Sequence, residues 1–119
     1  MTGADRGEAS NADAAPALSP DLAAAAEFAF ARAFDGVLEI LIDADQPVRF
    51  WVDGRSQPPT VSTHAPAGEA ARCVWRAGPA TMERVLTGER AFVAAYLSGR
   101  LDIRGDMAVM ARLIMENQT

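Results

Sequence analysis

Residues 37–54 read VLEILIDADQPVRFWVDG, and their pattern decides the fold. Leu38, Ile40 and Ile42 occupy alternate positions, and Val48, Phe50 and Val52 repeat the alternation after the turn-forming run Asp43-Ala44-Asp45-Gln46-Pro47. This is the pattern of an antiparallel hairpin with one apolar face. If Ile42 pairs with Val48, Ile40 faces Phe50 and Leu38 faces Val52, so all six side chains lie on one side of the ribbon. A slip of one residue would turn that set to water, so burial sets the register.

Toward the C-terminus, Asp53-Gly54-Arg55 and Pro58-Pro59 are turn chemistry, and a weak strand over residues 60–64 leads to a loop at Pro66-Ala67-Gly68. Residues 72–77 alternate again, with Cys73, Trp75 and Ala77 opposite Arg72, Val74 and Arg76. Gly78-Pro79 opens a short helix with a Met82, Val85, Leu86 stripe, stopped by Gly88. A second helix over residues 89–98 puts Phe92, Ala95 and Tyr96 on one face, with Gly99 as its stop. Leu101 and Ile103 then alternate with charged residues in a strand, and Asp106 caps a last helix that is apolar from Met107 to Met115 except at Arg112. A helix packed on one side of a sheet needs only an apolar stripe, so its other face must meet a second helix, a partner chain or an apolar ligand.

Toward the N-terminus, Ser19-Pro20-Asp21 reads as a helix start, and Leu22, Ala26, Phe30 and Phe34 repeat at steps of four until Gly36 closes the helix. Residues 1–18 are small and polar without periodic large apolar residues, which predicts a disordered tail before a single domain over residues 19–119. Hairpin strands grouped before most of the helices imply an α+β fold with a mainly antiparallel sheet.

The chain has 119 residues, half of them hydrophobic and 23% charged, which suits one soluble domain with one core. Sixteen carboxylates against eleven basic residues give a net charge of -5, arguing against nucleic acid as a partner. Every basic residue is Arg and Ala is abundant, a composition bias of GC-rich bacterial genomes. A basic leader with an apolar segment is missing at the start, and no apolar run approaches the roughly 18 residues of a membrane span. The expectation is a cytoplasmic protein without stable membrane insertion.

Candidate chemical groups are few. Cys73 is the single cysteine, and its place beside Trp75 on a strand suggests a buried apolar thiol of ordinary or raised pKa. His64, the single histidine, lies in a Pro-rich region beside Ser62 and Thr63, where adjacency supplies no attack geometry. Asp43, Asp45 and Asp53 are turn carboxylates without calcium-loop spacing, so neither a metal nor another cofactor is expected. Arg104-Gly105-Asp106 spells a cell-adhesion tripeptide, but a strand precedes it and the aspartate is placed as a helix cap. Trp51 falls on the strand face opposite Phe50 and is either an interface residue or a cover for the open side of the sheet. Nothing assembles nucleophile, base and oxyanion donors, so no enzyme is expected.

Two stretches resemble the sterol carrier protein type 2 family of lipid-binding domains. The stronger is Gly99-Arg100-Leu101-Asp102-Ile103-Arg104-Gly105-Asp106 followed by MAVMARLIME, with the paired short helices around Gly88 before it. The other is the N-terminal helix followed by the hairpin, similar in order but generic in sequence. The resemblance implies a sheet of about five strands covered on one side by helices. It also implies an apolar cavity between the two layers for a sterol, fatty acid, acyl-CoA or other lipid, bound and transferred without chemistry. The terminal Asn117-Gln118-Thr119 departs from the peroxisomal tripeptide of eukaryotic relatives.

On that basis the candidate ligand-binding residues are Phe30, Phe34, Phe50, Met82, Leu86, Phe92, Tyr96, Met107, Met110 and Ile114. Methionine adapts to irregular ligands, and Met107, Met110 and Ile114 recur at helical spacing, although the same residues also suit a plain core. Arg100 or Arg112 is the candidate for an anionic head group at the cavity mouth. The alternative is a structural or accessory protein acting through a homodimer or a protein partner without bound lipid.

Overall fold

The computed structural model describes residues 19–68 and 72–117. The tail expected over residues 1–18 lies outside the described residues. In chain order the elements are α1 (Pro20–Ala29), β1 (Val37–Ile42), β2 (Val48–Asp53), β3 (Thr60–Ser62), β4 (Arg72–Ala77), α2 (Pro79–Leu86), α3 (Phe92–Leu97), β5 (Asp102–Gly105) and α4 (Met107–Asn117).

The hairpin has the register that burial requires: Ile42 pairs with Val48, Ile40 with Phe50 and Leu38 with Val52. The sheet order is β3-β2-β1-β4-β5, with β1 paired in parallel to β4 and the other pairings antiparallel. Leu38, Ile40, Phe50, Val52, Cys73, Trp75 and Ile103 form its inner face, joined in one cluster with Ala26 of α1, Met82, Val85 and Leu86 of α2, and Val109, Met110 and Leu113 of α4. This is an α+β fold with helices packed on one side of a mainly antiparallel sheet.

α1 differs from its expected length. It starts as expected, with Ser19 Oγ accepting from Leu22 N at 3.1 Å, but ends at Ala29, five residues before Phe34. The chain over residues 30–35 is irregular, yet side chains from distant elements satisfy its backbone. Asn117 accepts from Arg32 N and donates to Arg32 O, both at 2.9 Å. Gln57 accepts from Ala33 N at 2.7 Å, and Arg112 donates to Phe34 O at 3.1 Å and Asp35 O at 2.8 Å. Buried or half-buried backbone can leave a helix when such partners replace the ladder. The left-handed residue here is Asp35, at φ 53°, rather than Gly36. Phe30 and Phe34 still reach the core, and the Phe34 ring fills the space where a Cβ on Gly54 would lie.

Trp51 is buried on the sheet face opposite the helices, so it covers that face and is not a free interface residue. The Arg49 guanidinium lies 4.9 Å from its ring centroid, a cation–π contact. Glu39 faces Trp51 across the hairpin and is also buried, at 4% exposure. Its carboxylate accepts from Arg49 at 2.7 Å and Arg72 at 3.4 Å, which gives a buried charge the partners it needs.

The C-terminal block forms the expected edge. Gly105 ends β5 at φ 99°, Asp106 N donates to Arg72 O at 2.8 Å, and Asp106 Oδ1 accepts from Ala108 N at 2.9 Å. Asp106 is therefore the structural cap expected of it. α4 buries Val109, Met110 and Leu113, whereas Met107, Ala108, Ala111 and Met115 are exposed. At roughly 100° per residue these two sets occupy opposite faces, so the apolar far side of α4 is left without cover among the described residues.

Candidate functional site

A groove of about 550 Å³ opens where the end of α1, the α2–α3 connection and the end of α4 converge over β4. Its apolar wall is Phe30, Trp75, Val85, Leu86 and Phe92, with Phe28 and Ala29 along one lip. Three features build it. α1 stops at Ala29, so Phe30 leaves the helix and turns its ring onto Trp75 at 5.5 Å between centroids. Gly88, at φ 82°, ends α2 and lets the chain turn into α3, which brings Phe92 within 5.2 Å of Trp75. The Asn117 clamp on Arg32 then holds the end of α4 against the opposite lip.

The rim is polar. Arg32 and Arg90 line it together with Glu116 and Asn117, and Arg32 Nε lies 3.4 Å from Glu116 Oε1. That pair is largely exposed, so water screens it and the Arg32 guanidinium is easily drawn to another anion. The Trp75 indole Nε1 is buried without a hydrogen-bond partner among the described residues. The arrangement suits an apolar or aromatic body laid on rings, with an anionic group at the two arginines.

Three of the ten candidates, Phe30, Leu86 and Phe92, come together on the groove wall. Phe34, Phe50, Met82 and Met110 are buried in the core, and Ile114 packs against it while partly exposed. Tyr96 and Met107 lie elsewhere: both are surface residues, 42% and 47% exposed, and neither lines the groove. The physical reasons are local. α3 starts at Phe92 rather than Glu89 and buries only Ala95, and Met107 falls on the side of α4 turned from the core. The Arg112 guanidinium donates to Phe34 O and Asp35 O, and Arg100 is exposed; neither lines the groove.

Sequence reasoning missed Trp75, Val85, Arg32 and Arg90 as groove residues. Trp75 and Val85 carry core periodicity and no mark of a cavity. Arg90 sits within the expected second helix, and Arg32 is displayed only because α1 ends early. Elsewhere, His64 is exposed after β3, and its backbone N–H donates to Ser62 Oγ at 3.0 Å. The Cys73 thiol is fully buried, and desolvation pushes its pKa up to about 11, so it is protonated at neutral pH. Among the described residues no group of three metal-ligating side chains occurs, and no helix is long and apolar enough to cross a membrane.

No protein-family model and no curated protein sequence matches the chain. Solved structures do. Sterol Carrier Protein 2 from Yarrowia lipolytica in its apo form superposes with a TM-score of 0.58 at 12% identity, covering 78% of this chain and 80% of that one. Palmitated SCP2L2 from Aedes aegypti gives a TM-score of 0.51 at 16% identity, covering 67% and 69%. The UbiJ-SCP2 ubiquinone synthesis protein gives 0.50 at 19% identity, covering 82% and 77%. At such low identities the likeness is one of backbone arrangement, and the shared sheet with its one-sided helical cover leads to one conclusion: the chain has the sterol carrier protein 2 fold.

Proposed function

We propose that the protein binds, and passes on without covalent chemistry, a lipid or other apolar small molecule of the sterol, fatty-acid or acyl-CoA class. The observation that carries this reading is the groove of about 550 Å³ floored by Phe30, Trp75, Leu86 and Phe92 and rimmed by Arg32 and Arg90. Its size falls in the range of about 300–1,000 Å³ usual for small-molecule sites. Each methylene moved from water onto such a wall contributes about 0.8 kcal/mol, so an alkyl chain needs no directional bonds to be held. The candidates Phe34, Phe50, Met82 and Met110 belong to the same buried core as this wall, Ile114 packs against that core, and they would bound the ligand if the helices part further. A palmitated neighbour of the same fold lends support to a fatty chain as the ligand.

The test is native mass spectrometry of freshly purified protein and of Ala91→Trp. Ala91 is exposed on the groove lip, so a large side chain there fills the groove without replacing a core residue. Adducts of lipid mass that disappear on denaturation, and that Ala91→Trp lacks while keeping its melting temperature, are the expected outcome. If added palmitate binds both proteins equally, or neither, the groove is not a lipid site. The exposed Met107, Ala111 and Met115 ridge of α4 favours a second reading, a homodimer, which the same spectra register as a dilution-dependent doubled mass.

A further inference from the structure

The helical layer has a second concavity, at the other end of α1. α1, the β1–β2 turn and α2 enclose about 360 Å³ there, walled by Leu22, Ala25, Ile42, Val48 and Pro79. Leu22, Ala25 and Val48 rest one flank on the core and leave the other open to the cleft, so its floor is apolar surface left uncovered among the described residues. The charged lining is opposite in net sign to that of the first groove, where Arg32 and Arg90 outnumber Glu116. Asp21 and Glu83 stand at the rim, Asp45 is exposed next to lining residue Ala44, and among the described residues no arginine lines the cleft. We propose that this cleft is a second, separate ligand site, which takes the alkyl body of a cationic amphiphile on its apolar walls and the protonated amine between Asp21 and Glu83.

Two physical effects act in the same direction. The apolar walls retain a chain by removing its surface from water, as in any small-molecule site of this volume. The rim carboxylates then choose the head group: an ammonium meets opposite charges over a low-dielectric floor, while a carboxylate or phosphate meets like charges. The two concavities would accordingly sort amphiphiles by head-group sign, with anions at Arg32 and Arg90 and cations at Asp21 and Glu83. This second site does not depend on the first groove binding lipid, because α1 and α2 contribute different residues to each.

The experiment is an amide NMR titration with decylamine and decanoate, which share one chain and differ in head-group charge. Decylamine is expected to shift the amides of Leu22, Ala44 and Glu83 in a saturable way that weakens in raised salt, and decanoate to leave them in place. The Asp21→Asn, Glu83→Gln double variant should weaken decylamine about two- to fivefold per charge removed. Ala44→Trp, on an exposed turn, should block the cleft while the dispersion of the spectrum reports an intact fold. Decylamine shifting only Ala31, Gly88 and Phe92, decanoate binding the cleft equally well, or unchanged affinity in the double variant would each overturn the assignment. Failure of the first groove would register separately, as decanoate leaving Ala31, Gly88 and Phe92 unshifted.

Discussion

Gly105→Ala should be among the most damaging single-methyl additions in this protein. Gly105 pairs with Cys73 across the β4–β5 ladder at φ 99°, and a Cβ there would lie 2.6 Å from the Arg72 carbonyl oxygen and 3.3 Å from Cys73 Cα. The obstacle is backbone, which cannot swing aside as a side-chain tip can. Holding alanine in a sparsely populated backbone region costs about 1–3 kcal/mol. Forcing a methyl into occupied space adds about 1–3 kcal/mol. The total is about 2–6 kcal/mol, against a stability of about 5–15 kcal/mol for a domain of ordinary size. Gly99→Ala isolates the first of these effects, since Gly99 has φ 79° and an added methyl would meet nothing within 4 Å, and it should cost only about 1 kcal/mol. Urea unfolding followed by tryptophan fluorescence measures both, with equal m-values as the check on two-state behaviour. A Gly105→Ala midpoint matching that of Gly99→Ala would refute the close approach of β5 to Arg72, and with it the anchoring of α4.

Three further outcomes are expected. Arg112→Ala removes charged hydrogen bonds to Phe34 O and Asp35 O and should cost about 1–3 kcal/mol; hydrogen exchange should rise at residues 30–35 before it rises in the sheet. The Cys73 thiol, pushed up to about 11 by burial from an ordinary 9.0, should resist a thiol reagent in the folded protein at neutral pH. Its raised value also makes stability fall as pH climbs between about 9 and 11, because only the unfolded chain gives up the proton there; Cys73→Ala should lack that slope in alkaline urea titrations. Asp53 is held below its ordinary 3.8 by the hydrogen bonds of Arg55, so its contribution is complete above that value and is lost as pH falls through the lowered one. The stability difference between the protein and Asp53→Asn should therefore shrink on acidification, and a difference that grows would contradict the pairing.

Much of the fold is legible in local pattern. The β1–β2 register, the alternation of Cys73, Trp75 and Ala77, the Met82, Val85, Leu86 stripe and the Gly105-Asp106 junction each follow from rules acting over a few residues, and the structure has all of them. The candidate site is legible only in part. Phe30, Leu86 and Phe92 carry the apolar spacing of a helical layer, which is why sequence reasoning reaches them; Tyr96 and Met107 carry the same spacing and lie on the surface. Periodicity says that a side chain is apolar on one helical face, and it does not say how far the helix extends or which neighbour that face meets.

What the amino-acid order alone determined is the element sequence, the hairpin pairing and the acidic character of the chain, because these depend on short-range sterics, alternation and charge. Tertiary structure decided where α1 stops, since the hydrogen bonds that release residues 30–35 from a helix come from Gln57, Arg112 and Asn117, up to 85 positions away. It decided that Trp51 and Glu39 are buried on the far side of the sheet, Trp51 under Arg49 and Glu39 between Arg49 and Arg72. It also put two arginines at one apolar opening and two carboxylates at another. A groove is made of surfaces that are distant in the chain, so its shape and charge arise from how the elements pack and are written in no single one of them.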